Sequence, residues 1–199
     1  MSFPILGLTG PSGGGKSVIA AYLRDAYGFA WIDTDAIYHD LTSSPSPCLD
    51  ELRAAFGDSV IRNGALHRPT LAAIVFAPDA KDKLELLNHI THKHVLDMTA
   101  QHIKQAKQKG MRGAIIDAPL LFEAGADALC THTVAVLSDR DVRLARIMMR
   151  DGISQEAAEK RLNAQKPDEY YQKADFILYN QGDLDAARAA ADALAKELI

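Results

Sequence analysis

The chain has 199 residues, of which 48% are hydrophobic and 24% charged, and its formal net charge is −4 at pH 7. This composition is typical of a globular protein, and the weakly acidic balance excludes a general electrostatic surface for nucleic acid. The cysteines, Cys48 and Cys130, form neither a C-x-x-C pair nor a metal-binding spacing, and the N-terminal residues lack the basic and apolar segments of a signal peptide. We therefore expect a reduced, cytoplasmic protein that binds neither nucleic acid nor membranes.

Five short apolar runs separated by helical patterns predict an α/β fold, with a five-stranded parallel sheet flanked by helices. In chain order the runs are PILGL, FAWID, GAIIDAPLLF, HTVAVL and DFILYN. The helical patterns cover residues 16–27, 79–109, 139–150, 155–164 and 184–198. Between the Ser/Pro-rich LTSSPSPC and Gly110 the sequence shows little strand signal.

The segment between the first predicted strand and the first predicted helix fits the pattern G-x-x-x-x-G-K-[ST], from Gly10 to Ser17. Glycines let the backbone wrap closely around phosphate groups, and the N-terminus of the following helix adds its partial positive charge. Lys16 is expected to reach the β- and γ-phosphates, and the Ser17 hydroxyl to bind Mg²⁺. Because a strand precedes the pattern and a helix follows it, we predict a nucleoside triphosphate site and a fold of the P-loop NTP hydrolase type.

Three classes of P-loop protein compete for this sequence: a small-molecule kinase, a GTPase switch, and a motor or transport ATPase. The N-K-x-D pattern of guanine recognition and an L-S-G-G-Q-like transporter signature do not occur in the sequence. A kinase needs an acid near the acceptor hydroxyl, a second lobe for the acceptor, and arginines over the phosphates, and the sequence offers all three. A small-molecule or nucleoside monophosphate kinase is therefore favoured over a regulatory nucleotide-binding ATPase.

Several acids follow predicted strands, at the sheet edge that faces the ligand in open α/β folds. Asp33 and Asp35 follow the second strand, and either could accept the proton of an acceptor hydroxyl; Asp33 or Thr34 could instead cap the next helix. Asp117 ends the third strand, where it either holds Mg²⁺ through water or caps the following turn. Glu123 is expected to orient backbone or substrate rather than to transfer a proton.

Arg143, Arg146 and Arg150 are spaced by three and four residues, so they are predicted to share one face of a helix. Such a face is often a solvated basic surface paired with neighbouring acids. Here the helix follows a core strand and precedes the last one, which is where a lid over the phosphates could arise. Since arginine binds phosphoryl oxygens in a bidentate manner, we expect this face to contact the triphosphate.

At this point the sequence resembles the dephospho-CoA kinase family over nearly its whole length. The segments GLTGPSGGGKS, IDTDAI, DAPLLFE, RLARIMMRDG and ADFILYNQG occur in that family's order and spacing, and FGDSVIRNGALHRPTLAAIVFAPD is similar to its insert. The resemblance implies ATP-dependent phosphorylation of the ribose 3′-hydroxyl of dephospho-CoA, the last step of coenzyme A synthesis. It implies ATP and Mg²⁺ as cofactors, and we expect a monomer or a weak homo-oligomer.

The loop pattern and the resemblance together imply roles for individual residues, with Asp35 as general base and Arg146 and Arg150 as lid arginines. ATP contacts are expected at Gly10, Ser12, Gly13, Gly14, Gly15, Lys16, Ser17, Val18, Arg146, Asn180 and Gly182. Acceptor contacts are expected at Asp33, Asp35, Arg68, His92, Pro119, Leu120 and Glu123, and Mg²⁺ contacts at Ser17 and Asp117. The implied domains are a nucleotide-binding core (residues 1–34, 111–138 and 175–199), a helical acceptor lobe (35–110) and a lid (139–174).

Overall fold

The structure, a computed structural model, describes residues 3–198, except for the side chain of Leu198. Residues 1, 2 and 199 of the predicted core therefore lie outside the described residues. The strands are β1 (Ile5–Thr9), β2 (Phe29–Asp33), β3 (Ile61–Arg62), β4 (Ala65–Leu66), β5 (Gly113–Asp117), β6 (His132–Leu137) and β7 (Phe176–Tyr179). The helices are α1 (Lys16–Tyr27), α2 (Thr34–Ser43), α3 (Pro47–Phe56), α4 (Arg68–Val75), α5 (Lys81–Gln108), α6 (Arg140–Asp151), α7 (Gln155–Asn163) and α8 (Leu184–Leu198).

The predicted five-stranded parallel sheet is confirmed, in the order β2–β5–β1–β6–β7. All residues of β1 and β5 are buried, as expected for central strands covered on both faces. Leu8 of β1 lies beside Asp117 on one side and Val134 on the other. This register brings the carboxyl ends of β1, β5 and β6 to one edge of the sheet, where residues 10–17, 117–123 and 138–139 follow them.

One face of the sheet is covered by α1 and α8. Helix α1 buries Ile19, Ala20 and Leu23 against sheet residues such as Leu6 and Val136. The helix ends at Gly28, whose φ of 69° is the left-handed conformation that glycine adopts without steric cost. The helical prediction for residues 16–27 is therefore confirmed, because its apolar stripe is the face that packs on the sheet.

The chain divides into two compact units, which we call the core unit (up to Ile32 and from Ile103 onward) and the helical unit (Asp33–His102). The helical unit has its own apolar core, to which α3, α4 and α5 contribute. The expectation that it carries little strand holds except for the short hairpin β3–β4. Asn63 and Gly64 form its two-residue turn with φ values of 53° and 77°, the conformation that an Asn-Gly pair favours.

The remaining predicted helices are also confirmed. The pattern at 79–109 corresponds to the single helix α5, and the pair at 139–150 and 155–164 corresponds to α6 and α7. Gly152 ends α6 with a φ of 62°, and the Ser154 hydroxyl caps α7 by accepting from the Ala157 N–H. Within residues 3–198, none of the helices has the length and apolarity that spanning a bilayer requires.

Candidate active site

The glycine-rich loop between β1 and α1 packs closely against its neighbours in the core unit. Gly13 has a φ of 80°, and a Cβ there would lie 2.8 Å from the Arg143 carbonyl oxygen of α6. Gly15 has a φ of 96°, and a Cβ there would overlap the Asn180 side chain. Because any larger residue would strain the backbone and push α6 or Asn180 away, these positions require glycine.

The Lys16 side chain bends back over the loop that precedes it. Its Nζ donates to the carbonyl oxygens of Gly10, at 2.8 Å, and Pro11, at 3.4 Å. Ser17 and Val18 follow in the first turn of α1, where both are exposed. The structure therefore presents an ammonium, a hydroxyl and the N-terminal end of a helix at one place, an arrangement that favours a polyanionic ligand.

Arg146 reaches from α6 to the backbone of the same loop. Its Nη1 lies 2.9 Å from the Gly13 carbonyl oxygen, 3.3 Å from that of Gly14, and 2.9 Å from the Ser138 Oγ. Its Nη2 donates to the Asn180 Oδ1 at 3.0 Å. Partial burial lowers the pKa of the Arg146 guanidinium by desolvation. A partly desolvated cation fixed against the loop would be stabilised further by negative charge from a ligand.

The other two arginines of α6 have different partners. The Arg150 Nη2 lies 3.3 Å from the Ser12 Oγ, and its Nε donates to Asp151 at 2.8 Å, a hydrogen bond that raises the pKa of Arg150. Arg143 is buried and pairs with Asp168 at 3.2 Å, while its Nε has no partner among the described residues. Arg146 and Arg150 thus contact the loop through their side chains, whereas the Arg143 guanidinium binds the segment after α7.

The residues that follow β5 lie at the same sheet edge as the loop. Asp117 ends β5 and is 6% exposed, so its carboxyl group is buried beside β1. The Pro119 carbonyl oxygen accepts from the Thr9 hydroxyl at 3.3 Å, which fixes the start of this turn to the end of β1. Leu120 is 54% exposed, and Glu123 is also exposed. Among the described residues, no cluster of three or more His, Cys, Asp or Glu is arranged to hold a metal by itself.

In the helical unit, Asp33, the last residue of β2, and Asp35, in the first turn of α2, have different environments. The Asp33 carboxylate caps α2 by accepting from the N–H groups of Asp35, at 2.9 Å, and Ala36, at 3.0 Å. Asp35 lies in the first turn of that helix and is exposed. The capping role that the sequence allowed for Asp33 is therefore observed, and Asp35 is the acid whose carboxylate is not the cap.

Arg68 begins α4 and extends over α2. Its guanidinium lies 5.6 Å from the centre of the Tyr38 ring, and its Nη2 lies 3.3 Å from the His39 Nδ1. Tyr38 and His39 stand three and four residues after Asp35, so all three occupy one face of α2. Arg68 and Asp35, both predicted acceptor contacts, are thus associated with the same helix face.

His92, the remaining predicted acceptor contact, is half-buried on α5. Its neighbours on that helix, Lys93 and His94, donate to the Glu51 carboxylate of α3 at 2.8 and 2.7 Å. These hydrogen bonds lower the pKa of Glu51. The structure therefore places His92 beside an ion-pair cluster that links α3 to α5.

Sequence reasoning did not identify Ser138, Gln165, Tyr38 or His39. The Gln165 side chain accepts from the Ser12 N–H at 3.0 Å, and the Ser138 hydroxyl contacts Arg146 and the Gly14 carbonyl oxygen. A signal for Ser138 was present, because it directly follows an apolar strand at the carboxyl edge, as Asp117 does. Tyr38 and His39 could have been found from their helical spacing relative to Asp35.

Comparisons with known proteins show which family the chain is similar to. The family model described as CoaE, dephospho-CoA kinase, matches residues 4–186. A dephospho-CoA kinase from Corynebacterium efficiens is 37% identical over 196 residues, which is 98% of this chain and 96% of the relative.

Two solved structures are similar over almost the full length. TT1252 from Thermus thermophilus has a TM-score of 0.80 and 30% identity, with 100% of both chains covered. A dephospho-CoA kinase from Campylobacter jejuni has a TM-score of 0.66 and 26% identity, with 97% of this chain and 96% of that chain covered. The family model and the relative that is 37% identical each match most of the chain, so the chain belongs to the dephospho-CoA kinase family.

Proposed function

We propose that the protein transfers the γ-phosphoryl group of ATP to the ribose 3′-hydroxyl of dephospho-CoA, giving coenzyme A and ADP. The observation that carries this proposal is the loop from Gly10 to Ser17, with Lys16 and Arg146 bonded to its backbone, in a chain of this family. Phosphoryl transfer requires mainly positioning and the stabilisation of negative charge, and the loop with its two cations supplies both.

On the nucleotide side, the backbone N–H groups of the loop and the Lys16 ammonium would bind the β- and γ-phosphates. Arg146 and Arg150 would bind oxygens of the transferring group, because both already contact the loop. Residues 139–174 would act as a lid that excludes water, so that ATP is not hydrolysed. The Asn180 carboxamide is bonded to Arg146, so Asn180 and Gly182 would approach the adenine through the backbone of their turn.

The side chains that could hold Mg²⁺ are the Ser17 hydroxyl and the Asp117 carboxylate. Mg²⁺ takes oxygen ligands and usually only one or two from the protein, with phosphate oxygens and water completing the shell. The Ser17 hydroxyl lies in the first turn of α1, after β1, and Asp117 is the last residue of β5. Since β1 and β5 end at the same sheet edge, these two groups fit this requirement. The ion would neutralise charge on the β- and γ-phosphates.

On the acceptor side, Asp35 would orient the 3′-hydroxyl and take its proton. Asp35 lies exposed in the first turn of α2. The Asp33 carboxylate caps that helix, and this structural role supports Asp35 rather than Asp33 as the base. Arg68, on the face of α2 that carries Asp35, would bind a negatively charged part of the acceptor. His92, Pro119, Leu120 and Glu123 are proposed as further acceptor contacts, with residues 35–110 as the acceptor lobe.

The test is a coupled assay of ADP release with a panel of acceptors: dephospho-CoA, AMP, CMP, shikimate, gluconate and water. We expect turnover with dephospho-CoA and formation of coenzyme A, with little ADP release in water. Turnover with AMP or shikimate but not with dephospho-CoA would show another P-loop kinase activity. ADP release independent of any acceptor would show an ATPase. We also propose a cytoplasmic location and a monomeric or weakly associating state, which size-exclusion chromatography would check.

A further inference from the structure

Ser138 occupies a central position in the core unit that no motif in the sequence indicates. It directly follows β6 and is only 2% exposed. Its hydroxyl donates toward the carbonyl oxygens of Gly14, at 3.1 Å, and Asn180, and it accepts from the Arg146 Nη1 at 2.9 Å. One small buried side chain therefore connects the phosphate-binding loop, the turn after β7 and an arginine of α6.

The Ser138 hydroxyl is difficult to replace, because it both donates and accepts hydrogen bonds. A serine hydroxyl has one hydrogen and two lone pairs, so the two carbonyl oxygens share its hydrogen while Arg146 uses a lone pair. In a buried place, removing this group would leave the Gly14 carbonyl, the Asn180 carbonyl and the Arg146 Nη1 each with one partner fewer. The position of Arg146 relative to the loop thus depends on a buried hydroxyl group.

Arg146 retains hydrogen-bonding capacity for a ligand. A guanidinium has five N–H groups, and its contacts with Gly13, Gly14, Ser138 and Asn180 use the two on Nη1 and one on Nη2. The remaining N–H groups belong to the same rigid plane, so their direction is fixed by the bonds to the protein. An anion that binds them therefore meets a donor fixed in advance, which lowers the entropy cost of binding.

We propose that Ser138 is a positioning residue for the nucleoside triphosphate, acting through Arg146. This inference rests on the proposed function, in which Arg146 contacts the triphosphate. Ser138 holds the guanidinium against the loop, and the guanidinium binds the phosphate oxygens. The residue therefore sets the affinity of the site without touching the ligand.

The decisive measurement is the Kd of a non-hydrolysable ATP analogue with Mg²⁺, determined by calorimetry without acceptor. Ser138→Ala should weaken binding about tenfold, the effect expected when a charged group loses its orienting hydrogen bond. Ser138→Cys, which keeps a small side chain with a weak donor, should give an intermediate Kd. In an Arg146→Ala background, Ser138→Ala should change the Kd less than about twofold, because the group through which it acts is gone.

Thr133 provides a matched control at the opposite end of β6. Its buried hydroxyl donates to the Asp175 Oδ2 at 2.8 Å, at the end of the strand that lies away from the phosphate-binding loop. Thr133→Ala removes a buried, hydrogen-bonded hydroxyl from β6, which Ser138 directly follows, so it should lower Tm as Ser138→Ala does. Its Kd for the analogue should equal that of the wild type.

Two results would overturn the role of Ser138. One is a Kd for Ser138→Ala that equals that of the wild type. The other is a double variant in which the fold-changes in Kd caused by Ser138→Ala and Arg146→Ala multiply. Failure of the proposed function gives a different result: a wild-type protein that binds the analogue and does not phosphorylate dephospho-CoA. Because the Kd measurement contains no acceptor, it decides the role of Ser138 in that case too.

Discussion

The residues proposed to bind the nucleotide and those proposed to bind the acceptor differ in how far the protein itself fixes them. In the core unit, Arg146 contacts four protein groups and the Lys16 ammonium contacts two carbonyl oxygens. In the helical unit, the exposed Arg68 side chain contacts the Tyr38 ring and lies 3.3 Å from the His39 Nδ1.

This difference follows from what each ligand requires. A triphosphate carries several charges that must be met at once, so its donors are most effective when their orientation is fixed before binding. An acceptor that supplies a single reacting hydroxyl can complete a looser site through its own contacts. We therefore expect changes on the nucleotide side to act through shared hydrogen bonds, and changes on the acceptor side to act more independently of one another.

The largest expected effect is that of Asp35→Asn. The amide keeps the shape of the side chain but cannot take the proton, so kcat should fall by about 10²–10⁴ while the KM for ATP stays near its normal value. Steady-state kinetics with dephospho-CoA would measure both parameters. This outcome would mean that an exposed acid carries the chemistry, while the partly buried Lys16 and Arg146, which are bonded to the loop, carry the binding.

Asp33→Asn is the matched control for this prediction. An asparagine oxygen can cap α2 as the Asp33 carboxylate does, so the variant should retain both its stability and most of its activity. A severe loss of kcat in Asp33→Asn, together with a mild loss in Asp35→Asn, would assign the base to Asp33 instead.

Lys16→Ala should have the next largest effect. Removing one fixed cation from the γ-phosphate should lower kcat by about 10²–10³, by analogy with the loss of one preorganised donor. Its melting temperature should change little, because the side chain is only partly buried and its described contacts are with two carbonyl oxygens of the loop. Lys81→Ala, which removes an exposed ammonium paired with Glu85 at 3.6 Å, is the control for charge alone. A near-normal kcat in Lys16→Ala would remove this residue from the mechanism.

Much of the fold and part of the site could be predicted from the sequence because their signals are local. An apolar run, a helical period or the Gly10–Ser17 pattern is contained in a few consecutive residues. The hairpin β3–β4 was missed because its strands have only two residues each, too few to show alternation, although Asn63-Gly64 is a turn signal.

The partners within the site could not be predicted, because they come from distant segments. Helical periodicity puts Arg143 on one face with Arg146, but Arg143 is buried against Asp168, a residue 25 positions away. Ser138 directly follows β6, but its sequence position does not reveal its partners, since the neighbouring positions of β1, β6 and β7 bring it to Gly14 and Asn180. Spacing predicts a shared face but not the groups that pack against it.

A smaller effect is expected from the ring beneath Arg68. Tyr38→Leu removes the aromatic face, so the KM for dephospho-CoA should rise about three- to tenfold while the KM for ATP stays constant. Tyr38→Phe keeps the ring and should behave as the wild type. A rise of both KM values in Tyr38→Leu would contradict this expectation, because it would show that changes on the acceptor side also affect nucleotide binding.

The smallest expected effect concerns an ion-pair cluster of the helical unit, formed by Glu51, Lys93 and His94. The hydrogen bond from Lys93, followed by that from His94, holds the pKa of Glu51 below its usual value. A carboxyl group with a lowered pKa in the folded state stabilises the protein above its unfolded pKa of about 4.3, and this contribution is lost as pH falls through the folded pKa. Thermal melts between pH 2.5 and 7 should therefore show Glu51→Gln about 2 °C below the wild type near neutrality, with the difference vanishing in acid.

Glu85→Gln, which removes an exposed carboxylate 3.6 Å from Lys81, should follow the wild type throughout. A constant difference between Glu51→Gln and the wild type across this range would mean that the cluster stabilises α3 and α5 through shape rather than charge. In that case packing rather than charge would stabilise this part of the helical unit. The phosphate-binding loop of the core unit, which is held by hydrogen bonds, would then differ from it more clearly.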